Sequence, residues 1–403
     1  MSTSLLYHEF GLRGYDYVRT IREGGVTTFV IHQRRERLTC SCCGTHDVER
    51  RGEVVRRFRL PPVGRRMIQV ELAVARVRCA HCDVIRQVHV GFAEENRHYT
   101  RSFERYVLEL LKHMTIKAVA QHLQLGWDTV KEIQKRYLNK HFANPELKKL
   151  KKIAIDEICV GKGKFLTLVL DLKTGAVVYV GNGKDSAALE PFWKKLKASR
   201  AKVRAAAIDM SNAYTKAVRE NLPNTVLVYD HFHIIKLYND KLTDLRRALY
   251  REAKAGPHKD VLKGVRWLLL KNPENLDPEK RERERLDEVL ALNKTLFLAY
   301  YMKDALRVVW DCAGKRDARK VLDAWIRFAD VSGIHMLKSF ARTLAAHREG
   351  ILAWYDYPIS TGPLEGTNNK IKTMTRQAYG FRDFEFFKLK LLAIHNATYA
   401  LVG

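Results

Sequence analysis

Between residues 152 and 229 five short, β-branched runs follow one another at unequal spacing, and that spacing restricts the fold more than any other feature of the sequence. The first three are Ile153–Val160, Phe165–Asp171 and Ala176–Val180. They are joined too tightly for crossovers, the last pair by a Lys173-Thr174-Gly175 turn, so they predict an antiparallel meander. The last two, Val203–Ile208 and Thr225–Tyr229, are each preceded by a stretch with helical character, from about Ser186 to Ala198 and from Ala213 to Asn221. A strand reached through a helix is expected to lie parallel in the same sheet.

An antiparallel meander followed by parallel strands is the order of a ribonuclease H-like mixed sheet, a fold-level analogy that assigns no function. The acids carry the reading further. Asp156 and Glu157 interrupt an otherwise apolar covered strand, where an ionised carboxylate is costly unless it is paired or holds a metal. Asp209 ends the fourth run, and Glu365 stands where a helix is expected to begin after Ser360-Thr361-Gly362-Pro363. Asp156, Asp209 and Glu365 are therefore expected to form one divalent-metal site. Oxygen ligands suit Mg²⁺ or Mn²⁺, and two such ions roughly 3.5–4 Å apart would activate an attacking hydroxyl and stabilise a departing one. Glu157 should face away from Asp156 on a strand. Tyr229-Asp230-His231-Phe232-His233 supplies two auxiliary candidates, Asp230 and His233, for orienting groups or moving a proton; a buried structural pair would read the same.

Five of the seven cysteines fall between Cys40 and Cys82. Two Cys-x-x-Cys pairs can close one tetrahedral zinc at about 2.3 Å per thiolate, so Cys40, Cys43, Cys79 and Cys82 are expected to hold one structural Zn²⁺; Cys42, His46 and His81 remain alternatives for one ligand. Residues 15 to 31 read as strand, and alternation over Met67–Val74 predicts a small antiparallel sheet between the pairs. The many arginines nearby, Arg56 and Arg57 among them, match phosphate oxygens.

Arg101 to Met114 is amphipathic, Thr115 is a candidate N-cap for the next helix, and Leu125-Gly126 a turn before a helix from Trp127. That layout fits a helix-turn-helix, with Thr129, Lys131, Gln134 and Lys135 expected at DNA. From about Lys241 to Trp354 the pattern is helical throughout. Beyond it Glu365, Asn369, Lys372 and Arg376 recur at helical spacing, one acid leading a stripe of amide and basic groups suited to a DNA backbone. Five segments follow: 1–92 zinc-binding, 93–147 helix-turn-helix, 148–240 the first part of a catalytic core, 241–354 a helical insertion, and 355–403 the second part of the core, carrying Glu365.

The charge agrees, since 72 basic against 45 acidic residues leave a net +27, an excess that suits a polyanion. No signal-peptide layout or membrane-spanning apolar run is present, which predicts a cytoplasmic protein.

In combination these motifs resemble the ISL3 family of bacterial insertion-sequence transposases. The likeness rests on the paired Cys-x-x-Cys unit, the helix-turn-helix, Ala154-Ile155-Asp156-Glu157, Ile208-Asp209-Met210-Ser211, Asp230-His231-Phe232-His233 and Gly362–Asn369. It implies an Asp-Asp-Glu triad of Asp156, Asp209 and Glu365 on a ribonuclease H-like core with a helical insertion before the Glu. It also implies binding of terminal inverted repeats by the N-terminal half, followed by Mg²⁺-dependent cleavage and 3′-hydroxyl strand transfer into target DNA. Two ends must meet, so at least a homodimer on DNA is expected. The competing expectations are a structure-specific nuclease and a transposase-derived DNA-binding regulator.

Overall fold

The computed structural model describes residues 5–161, 163–253, 262–263 and 265–395. The chain divides into two compact units, a first reaching to His141 and a second beginning at Phe142.

The first unit is built on a five-stranded sheet: β1 (Tyr15–Glu23), β2 (Val26–Gln33), β3 (Val48–Val63), β4 (Arg66–Cys79) and β5 (Ile85–Gln87). The strand expected over 15 to 31 is in fact a hairpin. Gly24 and Gly25 both take positive φ, +55° and +79°, the geometry of a tight hairpin turn. β3 and β4 form a longer hairpin, and β2 lies parallel along the first half of β4, from Val26 opposite Met67 to Ile31 opposite Leu72. In β4 every second residue, Ile68, Val70, Leu72 and Val74, is buried, the period-two pattern that fixes one face as core.

Three helices follow: α1 (Arg101–Leu110), α2 (Ile116–Leu123) and α3 (Trp127–Phe142). Thr115 caps α2 as expected, accepting from the Ala118 N–H at 3.2 Å. The sharp turn before α3, however, is made by Gln124, which adopts left-handed φ +52° while the Leu125 N–H returns to the Ala120 carbonyl at 2.9 Å. Phe103, Val107, Val119, Leu123, Val130 and Ile133 close the helical core.

In the second unit the meander β6 (Lys152–Gly161), β7 (Lys164–Asp171) and β8 (Val177–Asn182) is antiparallel, while β9 (Ala205–Ile208) and β10 (Val226–Tyr229) run parallel to β6. The strand order is β8-β7-β6-β9-β10. Each face of the sheet has its own core. Ile153, Ile155, Ala206 and Ile208 pack with α4 (Glu190–Ser199), α5 (Asn212–Asn221) and the insertion helices. Ala154, Ile158, Ala205, Ala207 and Val228 pack with the C-terminal helices through Leu364, Ile371, Phe387 and Leu391.

The helical pattern expected from residue 241 starts ten residues earlier. One helix, α6 (His231–Glu252), leaves β10 immediately and runs past that point unbroken, because Asp230 caps it by accepting from the Phe232 N–H at 3.2 Å. Beyond it lie α7 (Arg266–Leu270), α8 (Glu282–Leu292), α9 (Lys294–Asp311), α10 (Lys315–Val331) and α11 (His335–Leu352). Gly350 of α11 lies so close to β10 that a Cβ there would fall 2.3 Å from the Tyr229 ring. The chain then returns to the sheet with α12 (Gly362–Gln377) and α13 (Phe384–Leu392). No described helix is long and apolar enough to cross a membrane.

Candidate functional site

Strand register decides which acids can meet. Ala154 of β6 pairs with Ala207 of β9, and Ile208 with Tyr229 of β10; the Asp230 N–H still reaches the Ile208 carbonyl at 3.1 Å. Carried forward, this parallel register sets Asp156, Asp209 and Asp230 side by side at one level. Ala154, Ala207 and Val228, two residues earlier on each strand, all belong to the core beneath the C-terminal helices. By the alternation of side chains the three aspartates therefore emerge on that same face.

Each carboxylate has definite partners. Asp156 Oδ1 accepts from the Glu157 N–H at 2.8 Å and Oδ2 from the Asn368 amide at 3.2 Å. Asp209 Oδ1 accepts from the Ser211 N–H at 3.0 Å, at the start of α5. Asp230, only 1% exposed, accepts from the Phe232 N–H, from the Thr361 N–H at 3.3 Å and from the Thr361 hydroxyl. Burial pushes the Asp156 carboxyl up to about 6, opposed by the nearby charge of His233, with Glu157 and Asp209 adding to the rise. Burial likewise raises Glu157, with Asp209 adding to it and a Tyr214 hydrogen bond opposing. A half-buried carboxylate crowded by like charges is an arrangement that a divalent cation stabilises.

Glu365 enters through its helix. Thr361, Glu365 and Asn368 fall at i, i+4 and i+7, on one flank of α12. Thr361 is held by Asp230 and Asn368 by Asp156, so Glu365 lies between two anchoring hydrogen bonds on the flank that faces the aspartates. Leu364, Thr367 and Ile371 form the adjoining buried face. Glu365 itself is exposed. The carboxylates of Asp156, Asp209 and Glu365 are not drawn to ligand spacing. Among the described residues, the one group of three or more ligating side chains with atoms all within 4.8 Å is elsewhere.

That group is Cys40, Cys43, Cys79 and Cys82. Two matching knuckles build it. The Cys40 N–H binds the Thr45 carbonyl at 2.9 Å and the Cys79 N–H the Val84 carbonyl at 3.1 Å; Gly44 and Asp83, each following a second cysteine, take positive φ of +75° and +47°. Cys43 and Cys79 sulfurs stand 3.6 Å apart. The backbone N–H groups of Cys43 and Cys42 hold the Cys40 thiol down to about 6, favouring the thiolate that a metal takes. The sulfur of Cys43, then burial, pushes the Cys82 thiol up. Cys42 is exposed and, with His46 and His81, stands outside the cluster.

The expected DNA-contacting residues divide. Asn369, Lys372 and Arg376 are exposed on α12, while Thr129, Lys131 and Lys135 on α3 are partly exposed. Gln134 is only 2% exposed and corrects the expectation: it lies one turn from Val130 and so shares the packed face of α3. Arg57 is exposed and pairs with Glu71 at 2.8 Å. Arg56 is occupied within the unit, donating to the Arg97 carbonyl at 2.9 Å over the Phe58 ring. Nearby Arg59 ties the sheet to the helices by donating to the Leu123 carbonyl at 2.7 Å.

Of the auxiliary pair, Asp230 is committed to backbone and hydroxyl donors and positions α12, while His233 is partly buried beside Asp156 and Glu157. Sequence reasoning missed Thr361 and Asn368. The helical stripe running from Glu365 leads to Asn369 rather than to its neighbour Asn368.

Residues 153–391 match a family model described as a transposase, and residues 88–138 match the helix-turn-helix domain of transposase family ISL3. The chain is 32% identical over 360 residues to the transposase for insertion sequence element IS1001 of Bordetella parapertussis, 88% of either chain. It is 29% identical to the transposase for insertion sequence element IS1557 of Mycobacterium tuberculosis, covering 82% of this chain and 80% of that one. Among solved structures, the Drosophila P element transposase strand transfer complex aligns at a TM-score of 0.41 and 9% identity over 73% of this chain and 92% of that one. With the matched segment spanning more than half its length, this chain belongs to the ISL3 family of insertion-sequence transposases.

Proposed function

We propose that this transposase cuts DNA at the ends of its element and joins the freed 3′-hydroxyl to target DNA, using Asp156, Asp209 and Glu365 on a ribonuclease H-like core. The observation that carries the reading is the mounting of α12: the helix bearing Glu365 is bonded to the sheet through Asp156–Asn368 and Asp230–Thr361, beside Asp209.

The donor set fits Mg²⁺ or Mn²⁺, since carboxylate oxygens are hard ligands. Asn368 Oδ1 adds a buried acceptor that meets no donor among the described residues, a place for a hydrated cation's water. When bound, two such ions would activate the attacking oxygen and neutralise the leaving one. Asp156, Asp209 and Glu365 would hold them. Water attacks the phosphodiester first, and the P–O3′ bond breaks to leave a 3′-hydroxyl; that hydroxyl then attacks a target phosphodiester, whose own 3′ oxygen departs. Asp230 fixes the start of α12 so that Glu365 can close on the aspartates when the ions bind, and His233 receives or returns a proton at the reacting oxygens. Thr129, Lys131 and Lys135 contact end DNA, and Asn369, Lys372 and Arg376 the backbone near the cut. One Zn²⁺ on Cys40, Cys43, Cys79 and Cys82 stiffens the N-terminal sheet, and at least two chains act together because two ends must meet.

The test is to incubate the protein, Mg²⁺ and labelled duplex from the inverted repeats flanking its gene with a target plasmid. Joined products are expected. Cleavage alone would leave a nuclease, and binding alone a regulator. Full cleavage by each of Asp156→Ala, Asp209→Ala and Glu365→Ala would refute the triad.

A further inference from the structure

The helix bearing Glu365 ends, as α2 and α4 do, on a left-handed residue other than glycine. Its last turn closes with the Gly380 N–H on the Thr375 carbonyl at 2.9 Å and the Tyr379 N–H on the Arg376 carbonyl at 3.1 Å. This paired closure needs a left-handed residue at the position that glycine usually takes. Here that residue is Tyr379, at φ +52°, with Gly380 at +93° after it. A side chain in this region is strained, and glycine would relieve the strain. A residue held there asks for a compensating contact.

Packing does not supply one. The Tyr379 side chain is 99% exposed, the most open of the large hydrophobic side chains among the described residues. Its ring takes part in no aromatic or cation contact there. The surroundings point to a ligand instead. Asn369, Lys372 and Arg376 are exposed along the same helix, and Gln377 and Arg382 are exposed on either side of the turn. Amide and basic groups of this kind bind a phosphate backbone, and an exposed aromatic ring beside them is the platform on which an unpaired base stacks.

We infer that Tyr379 is a stacking site for a nucleobase displaced from the duplex, set at the far end of the Glu365 helix. The inference rests on the DNA-cutting function proposed above and adds a place for a base to go. From Glu365 to Tyr379 the helix rises roughly 20 Å at 1.5 Å per residue, about six base steps at 3.4 Å each. For a duplex running along this helix, the displaced base therefore lies about that far from the cut. Opening a base pair there frees the backbone to bend toward the acids, and the tyrosine ring offsets the lost stacking.

Because Tyr379→Gly relieves the backbone while removing the ring, it should fold at least as well as the parent, which a thermal melt checks. Full-length protein is mixed with flanking inverted-repeat duplex carrying 2-aminopurine at one position at a time. The parent should change the fluorescence at one position about six steps from the cut. Tyr379→Phe and Tyr379→Trp should keep that change. Tyr379→Gly should abolish it and weaken end binding about tenfold, the size of one base–aromatic stack. An unaltered signal and affinity in Tyr379→Gly would overturn the inference, as would a Tyr379→Gly defect confined to self-association in sedimentation. If the parent binds and cleaves ends with no position-specific change, stacking falls and the proposed function stands. If the parent neither binds nor cleaves them, both fall.

Discussion

The bond between Asp230 and Thr361 should be measurable as a coupling between a sheet edge and a helix that lie 131 residues apart in sequence. Asp230→Asn keeps a side-chain oxygen to cap α6, because asparagine caps as well as aspartate, but it removes the charge from the bond to the Thr361 hydroxyl. Thr361→Val keeps the shape and removes that hydroxyl. A hydrogen bond to a buried charged group is worth about 1.5–3 kcal/mol, so each single change should loosen the Gly362–Gln377 helix by about that amount. The double variant should lose little more than either alone, a coupling of about 1.5–3 kcal/mol. Amide hydrogen exchange of that helix reads the local opening free energy, while urea midpoints show whether the whole unit weakens. Strand cleavage should fall with the helix, since Glu365 rides on it. Additivity within about 0.5 kcal/mol, or full cleavage despite a loosened helix, would refute the positioning role given to Asp230.

Gly350→Ala should cost about 1–3 kcal/mol by overpacking, because its Cβ would fall 2.3 Å from the Tyr229 ring; an unchanged thermal midpoint would show that α11 has room to move. Metal analysis of purified protein should find about one zinc per chain from the four-thiolate site; Cys43→Ser should lower it and Cys42→Ser should not. Lys303 is fully buried, its ammonium donating to the Leu269 and Lys271 carbonyls at 3.0 and 2.7 Å, and burial holds its pKa down to about 8. A lysine with a lowered folded pKa binds fewer protons folded than unfolded. It therefore weakens the fold in full below pH 8 and progressively less as pH rises toward 10.5. Relative to Lys303→Met, the parent should gain stability over that window, by about 3 kcal/mol at most because the two carbonyls favour the charged form. Parallel stability–pH curves for the two proteins would contradict it.

The elements that were readable in sequence are those whose residues answer to neighbours close along the chain. Ile153 to Ile155 read as a covered strand because both faces of β6 are packed, and the tight joins of the meander left only an antiparallel solution. The Cys-x-x-Cys pairs were readable for a similar reason, since each knuckle is a local turn that aims two sulfurs together. Asp230 is different. Its carboxylate serves Thr361, and nothing in Tyr229–Ile235 reveals a partner so distant in the chain. Gln134 misled because a polar side chain on a presumed DNA helix suggests exposure, whereas helix phase places it with Val130. The boundary expected at residue 241 had a related cause: the apolar periodicity of α6 becomes regular there, but Asp230, which caps the helix, lies eleven residues earlier. Asn368 was hidden by its twin, since only the rotation of α12 against the sheet separates it from Asn369.

The two bonds that mount α12 also set a schedule for the growing chain. Asp156 leaves the ribosome 212 residues before Asn368, which at about 5–20 residues per second is roughly 10 to 40 s. During that interval the sheet can fold and the insertion can pack, but the helix that brings the glutamate has not been made. A nascent chain therefore has its aspartates in place at the sheet before Glu365 exists. On the proposed triad, the capacity to cut arrives in one late step, after the helices between β10 and α12 have been synthesised.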